Sequence, residues 1–236
     1  MSSWFLVPSL PEGESFVLDG PEGHHAATVQ RLRVGESLVL GDGRGGTATA
    51  EVTAVGRGTL SVRVLSREYA VPPAQRLVVV QAIAKGDRGE LAVQAMTEAG
   101  VDRIVPWSAA RSIARWTGSR GHDRWVATAR EAAKQSHRPW LPTVDPLAST
   151  VDVVSRFGPS ALVLDAAAPT RLSAVDLPES DEVVIVVGPE GGITPDELAS
   201  FAAAGAIPVR LGDTVLRTST AGVAALAVLS ARLGRW

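Results

Sequence analysis

The stretch VVIVVGPEGGITPDEL, Val183 to Leu198, sets five branched apolar residues directly before a glycine-rich loop and the start of a helix. A continuous apolar run such as Val183 to Val187 suits a strand covered on both faces, as parallel sheets require. Thr194-Pro195-Asp196-Glu197 then has capping-box spacing, with proline at the first helical position. This order places the loop at the carboxyl end of a parallel strand, where α/β sheets hold ligands. Adjacent glycines remove two Cβ atoms, so main-chain groups can approach a ligand closely. A phosphate and the edge of an adenine both suit such a loop, and a glycine turn used only for tight packing has the same sequence.

Outward from that stretch, apolar runs alternate with helical segments. RLVVVQAIA, DRIVPW, SALVLD, EVVIVV and AIPVRL read as strands, and helices are predicted over Asp87–Ala99, Arg120–Ser136, Pro195–Ala204 and Ser219–Leu233. That alternation predicts an α/β domain with a mostly parallel sheet over residues 74–236. Residues 1–70 differ: SWFLV, SLVLGD, TATAEVTAV and TLSVRVLS alternate with turns, around a helical insert near PEGHHAATVQRL. They predict a small β-barrel. Val71-Pro72-Pro73 stiffens the chain between the two.

The chain is 45% hydrophobic and 20% charged, and no apolar run approaches the roughly 20 residues that a bilayer crossing needs. Pro8, Pro11, Glu12, Glu14 and Asp19 interrupt the first twenty residues, which fit no secretory signal. With no cysteine, disulfides and thiolate metal sites are excluded, and no metal site is expected. These features point to a cytoplasmic protein.

The net charge of −2 conceals an asymmetry. From Arg103 to Trp140 there are eight basic residues against two acids, a balance of +6, whereas Leu141 to Val187 carries −5. The basic segment also holds Trp107, Trp116, Trp125 and Trp140. Arginine beside aromatic rings suits phosphate contact and base stacking, as in RNA binding; a solvated face above core tryptophans is the plainer reading. Gly41-Asp42-Gly43-Arg44-Gly45-Gly46 matches a dinucleotide fingerprint in form only. The strand-like TATAEVTAV follows it where a helix is required, so it reads as a hairpin turn.

A second loop, Val209 to Ala221, carries Leu211-Gly212 and Val215-Leu216-Arg217-Thr218 and leads into the small-residue helix AGVAALAVLSARL. With GPEGG, this pattern resembles the RsmE family of SPOUT-class methyltransferases, which methylate N3 of a uridine in small-subunit (16S) ribosomal RNA. KGDRGELAVQAMTEAGVDRIVPWSAARSIARW, EAAKQSHRPWLPTV and GHHAATVQRLRVGESLVLGDGRGG resemble further family segments in order, so the likeness spans nearly the whole chain. One departure stands out: Ser219 occupies the place where the family usually has glutamate.

The resemblance implies a trefoil-knotted SPOUT domain behind a PUA-like RNA-binding barrel, S-adenosyl-L-methionine as cofactor, and a homodimer. Carried onto this sequence, the cofactor residues are Leu164, Gly188, Pro189, Glu190, Gly191, Gly192, Leu211, Gly212, Leu216 and Thr218. Arg217 is the catalytic candidate, because a guanidinium near the uracil oxygens stabilises the charge left as the N3 proton departs; pairing with phosphate or a carboxylate is its plainer role. Glu190 suits local hydrogen bonding to backbone, and the four histidines suit RNA contact or packing. RNA phosphates are expected to meet Arg111, Arg115, Arg130, Lys134 and Arg138, with Arg31 and Arg33 from the barrel. The partner is ribosomal RNA or the small ribosomal subunit, with no membrane. The last helix suits either a dimer interface or a core position. A SPOUT ribose 2′-O-methyltransferase and a non-catalytic RNA-binding protein are the alternatives.

Overall fold

The computed structural model describes residues 3–157, 160–177 and 179–236. Its residues fall into two compact units: those through Pro72 with Ala133–Leu141, and Pro73–Ala132 with Pro142–Trp236.

In the smaller unit, β1 (Ser3–Leu6), β2 (Ser15–Leu18), β3 (Ser37–Gly41), β4 (Gly46–Val55) and β5 (Leu60–Tyr69) form one sheet in the order β1-β3-β4-β5-β2. Burial alternates along β4, as the period of two along a strand requires, and sends Ala48, Ala50 and Val52 into a core with Phe5, Leu38, Leu40, Leu60 and Val62. The sequence suggested a barrel; among the described residues β1 and β2 end the sheet without pairing to each other. The helical insert is α1 (Gly20–His24), continued by a π-helical turn over His25–Val29. The false dinucleotide fingerprint is the β3–β4 turn, where the Asp42 carboxylate accepts the N–H groups of Arg44 (2.7 Å) and Gly46 (3.0 Å).

Residues Ala133–Leu141, assigned by sequence to the α/β domain, instead pack within this small unit. Gly45 N–H donates to Pro139 O at 2.9 Å and Leu141 N–H to Gly43 O at 3.0 Å. His137 stacks on Trp4 with ring centroids 5.5 Å apart. Local patterning could not show this, because the contacts join segments about ninety residues apart in sequence.

The larger unit is a parallel sheet in the order β11-β9-β10-β6-β7-β8. Its strands are β6 (Arg76–Ala82), β7 (Arg103–Trp107), β8 (Thr143–Val144), β9 (Ala161–Leu164), β10 (Glu182–Val187) and β11 (Ile207–Val209). Leu77, Val79, Val183, Ile185 and Val187 face one core with α2 (Arg88–Glu98), α3 (Arg120–Gln135) and α6 (Thr218–Arg232). Val78, Val80, Val184 and Val186 face the other with α4 (Thr150–Phe157) and α5 (Pro195–Ala203). Both faces of β10 are therefore covered, which is why its sequence is continuously apolar. Sequence reading missed β2, β8 and α4. The last had a signal in Ser149-x-x-Asp152, whose two side chains cap α4 reciprocally.

No helix among the described residues is long and apolar enough to cross a membrane.

Candidate functional site

A cavity of about 470 Å³ opens at the carboxyl ends of β9, β10 and β11. Two bends form most of its wall. Gly188, Pro189, Glu190 and Gly192 come from the loop after β10, and Leu211, Gly212, Thr214, Val215, Leu216 and Arg217 from the loop before α6. Thr218 joins the bends: its hydroxyl donates to the Gly188 carbonyl at 3.0 Å. Leu164 adds an apolar side chain from the end of β9. At Gly212 a Cβ would meet nothing within 4 Å, so the main chain there faces open space.

One sequence-derived cofactor residue stands apart from the cavity lining. Gly191 does not line the cavity; it faces away, and a Cβ there would lie 3.1 Å from Arg111 Cβ and 3.4 Å from the Arg111 carbonyl oxygen. Arg111 in turn donates through Nη1 to the Gly191 carbonyl at 3.2 Å. The glycine is small because it adjoins the loop after β7. Glu190 accepts the Lys85 N–H at 3.2 Å, and Arg88 lies 3.8 Å away. Arg88 and Asp165 line the cavity without having been singled out by sequence. Their signal was position alone: each follows a parallel strand's carboxyl end.

The helix after the glycine loop begins as its sequence dictates. Thr194 Oγ1 accepts the Glu197 N–H at 3.2 Å, and Glu197 Oε2 accepts the Thr194 N–H at 3.0 Å. The other carboxylate oxygen accepts the Ala110 N–H at 2.9 Å and the Thr150 hydroxyl at 3.0 Å. One carboxylate, 6% exposed, thus ties the starts of α5 and α4 to the loop after β7. Burial pushes its pKa up, but the hydrogen bonds from Thr194, Ala110 and Thr150 outweigh burial and hold it below the ordinary carboxylate value.

Arg217 caps α6 with extended main-chain angles, and its exposed guanidinium has no partner among the described residues. The next side chains, Thr218 and Ser219, are buried.

The proposed RNA-binding residues are not equivalent. Lys134 pairs with Glu22 at 3.0 Å within the small unit, both side chains only 14% exposed, so its charge is already committed. Arg130 and Arg138 also have partners. Arg31 and Arg33 are exposed in the small unit, and Arg115 is exposed in the large one with Nη1 3.3 Å from Ser108 Oγ. The tryptophans serve packing: Trp107 and Trp125 are core residues, Trp116 lies edge-on to Trp125, and Trp140 lies edge-on to Tyr69 and donates to Ala70 O.

The fold and this cavity define an RNA methyltransferase domain preceded by a PUA domain. An RNA methyltransferase domain family matches residues 71–230, and an RNA methyltransferase PUA domain family matches residues 18–65. The chain belongs to the ribosomal RNA small subunit methyltransferase E family. It is 48% identical over 243 residues to the Mycobacterium tuberculosis protein of that name, covering 98% of this chain and 92% of the relative. To the Bacillus subtilis protein it is 28% identical, covering 94% and 91%. A crystal structure of the Neisseria gonorrhoeae family member bound to S-adenosyl methionine superimposes with a TM-score of 0.88 at 27% identity, covering 98% of each chain.

Proposed function

We propose that this chain transfers a methyl group from S-adenosyl-L-methionine to N3 of a uridine in small-subunit (16S) ribosomal RNA. The carrying observation is the cavity between the two bends, closed by Thr218 on Gly188 and bordered by the unpartnered Arg217. Its lining fits an adenosyl group: main-chain groups of Gly188, Pro189 and Glu190 and of Leu211 and Gly212 for a base edge, with Leu164, Leu211 and Leu216 as apolar walls.

S-adenosylmethionine supplies an electrophilic methyl on a sulfonium. The protein's contribution is to favour the ionised uracil and to place N3 in line with that methyl. Arg217, with no ion partner to hold it, stabilises the negative charge on the uracil oxygens as the N3 proton leaves. N3 lies on the pairing edge, so the base is unpaired or turned out when it enters. The small unit and the exposed arginines Arg31, Arg33, Arg111 and Arg115 hold the strand.

Two finer features belong to the same reading. The first is the trefoil knot. The β9–β10 connection reaches past β11, where Arg171 bridges Arg210, while Arg210 Nη1 donates to Ala168 O (2.7 Å) and Pro169 O (2.8 Å). After β11 the chain returns to α6, which packs on β6 and β10 at the middle of the sheet, and this path supports threading through that connection. The second is a homodimer: α6 buries Ala225, Leu226 and Leu229, yet leaves Val223, Ala224, Ala227 and Val228 half-buried as an apolar face. The buried side takes the core position, and the half-buried side supports the dimer reading. A cytoplasmic location follows from a ribosomal RNA substrate.

The test is mass spectrometry of nucleosides from small-subunit ribosomal RNA treated with the protein and labelled S-adenosylmethionine. N3-methyluridine is expected. A ribose methyl, or no methyl in RNA from a strain lacking the modification, overturns the reading.

A further inference from the structure

We propose that a second recess on the larger unit, between the loop carrying Arg115 and Trp116 and the first turn of α3, binds a phosphodiester group of the RNA strand. This rests on the methyl-transfer reading above. The recess has a volume of about 470 Å³, and Arg115, Arg120 and Arg124 line it with Asp123 as the single carboxylate.

The three guanidinium groups are in different states. Arg115 lies against the Ser108 hydroxyl at 3.3 Å, which fixes it without neutralising it. Arg124 shares its charge with Glu90 at 3.2 Å. Arg120 is exposed and has no ion pair among the described residues. Asp123 is itself 3.8 Å from His122 Nδ1. The recess therefore carries excess positive charge, with one cation wholly uncommitted.

Its floor is rigid. Trp116 meets the buried Trp125 edge-on, centroids 4.9 Å apart at 90°. Gly121 lies so close under the Trp116 ring that a Cβ would collide with Cδ2. The aromatic packing holds the Arg115 loop against α3 before any ligand arrives, which lowers the ordering cost of binding. The start of α3 adds to the field: Ser119 O accepts the Asp123 N–H at 2.9 Å, and the N–H groups before it have no helical acceptor.

Guanidinium forks match phosphate oxygens, and the basic side chains lie on the surface rather than around an enclosed anion. Such a site suits a strand passing over it.

The test compares the full-length wild type with Arg120→Ala and Arg120→Lys. A small-subunit ribosomal RNA transcript is titrated by fluorescence anisotropy across a salt series, and S-adenosylmethionine binding is measured by calorimetry. Arg120→Ala is expected to weaken RNA binding about three- to tenfold and to lower the slope of log K against log salt by about one, while Arg120→Lys keeps the slope. Cofactor affinity stays at the wild-type value. Unchanged RNA affinity and slope in Arg120→Ala overturn the proposal, and so does a site that binds inorganic phosphate while RNA binding ignores the substitution. Wild-type protein that binds RNA through Arg120 but methylates nothing instead sinks the functional reading and leaves the recess standing.

Discussion

Arg111 and Gly191 join two loops that leave the sheet on either side of β6: the guanidinium donates to the glycine carbonyl at 3.2 Å, and a Cβ on the glycine would stand 3.1 Å from the arginine Cβ. The loop that lines the cavity and the loop that begins the basic segment are thus joined by a side-chain to main-chain hydrogen bond.

Gly191→Val therefore acts through Arg111 and not by filling the cavity. The branched side chain is expected to push the two loops apart and to cost about 1–3 kcal/mol in stability. Urea denaturation measures the loss, and calorimetry is expected to show S-adenosylmethionine binding weakened rather than abolished. Complete loss of binding in a folded variant would place Gly191 in the cavity wall after all.

Glu197→Gln tests the carboxylate that links α5, α4 and the loop after β7. Its amide presents a donor to the Thr194 N–H or the Ala110 N–H, both of which need acceptors, so a loss of about 1–3 kcal/mol is expected. The wild-type acid response follows from the same group. Its folded pKa is depressed, so its stabilisation is complete above the ordinary carboxylate value and is lost as pH falls through the folded value. Urea midpoints measured from neutral pH into acid should fall less in the variant than in the wild type over that window.

Arg217→Ala is expected to slow single-turnover methyl transfer by about 10²–10³, the scale of losing one preorganised charge-stabilising group. Cofactor affinity should change little, because Arg217 stands at the rim. Unchanged transfer would remove Arg217 from the reaction.

Lys134→Ala should behave as a folding variant. Glu22 would lose its cationic partner at 3.0 Å in a largely buried setting, costing on the order of 1–3 kcal/mol. The salt slope of RNA binding should remain at its wild-type value, in contrast to Arg120→Ala. A reduced slope would return Lys134 to the RNA surface.

The capping box at Thr194 and Glu197, the two-faced apolar strand β10 and the alternation along β4 were legible because each depends on neighbours within a few residues. The surroundings of Lys134 and Gly191 were not legible, because each is set by a segment remote in the chain, Glu22 in one case and Arg111 in the other. Short elements escaped for a related reason: β8 has two residues and is a strand only because β7 lies beside it.

By itself the sequence determined the α/β character of the larger unit, the glycine loop after β10 and the family resemblance, since hydrophobic period, turn chemistry and motif order are written along the chain. Only the tertiary structure decided that Thr218 closes onto Gly188, that Gly191 turns from the cavity, and which cations are already spent on carboxylates. Those outcomes depend on distances between side chains far apart in sequence, and such distances exist only after the backbone has folded.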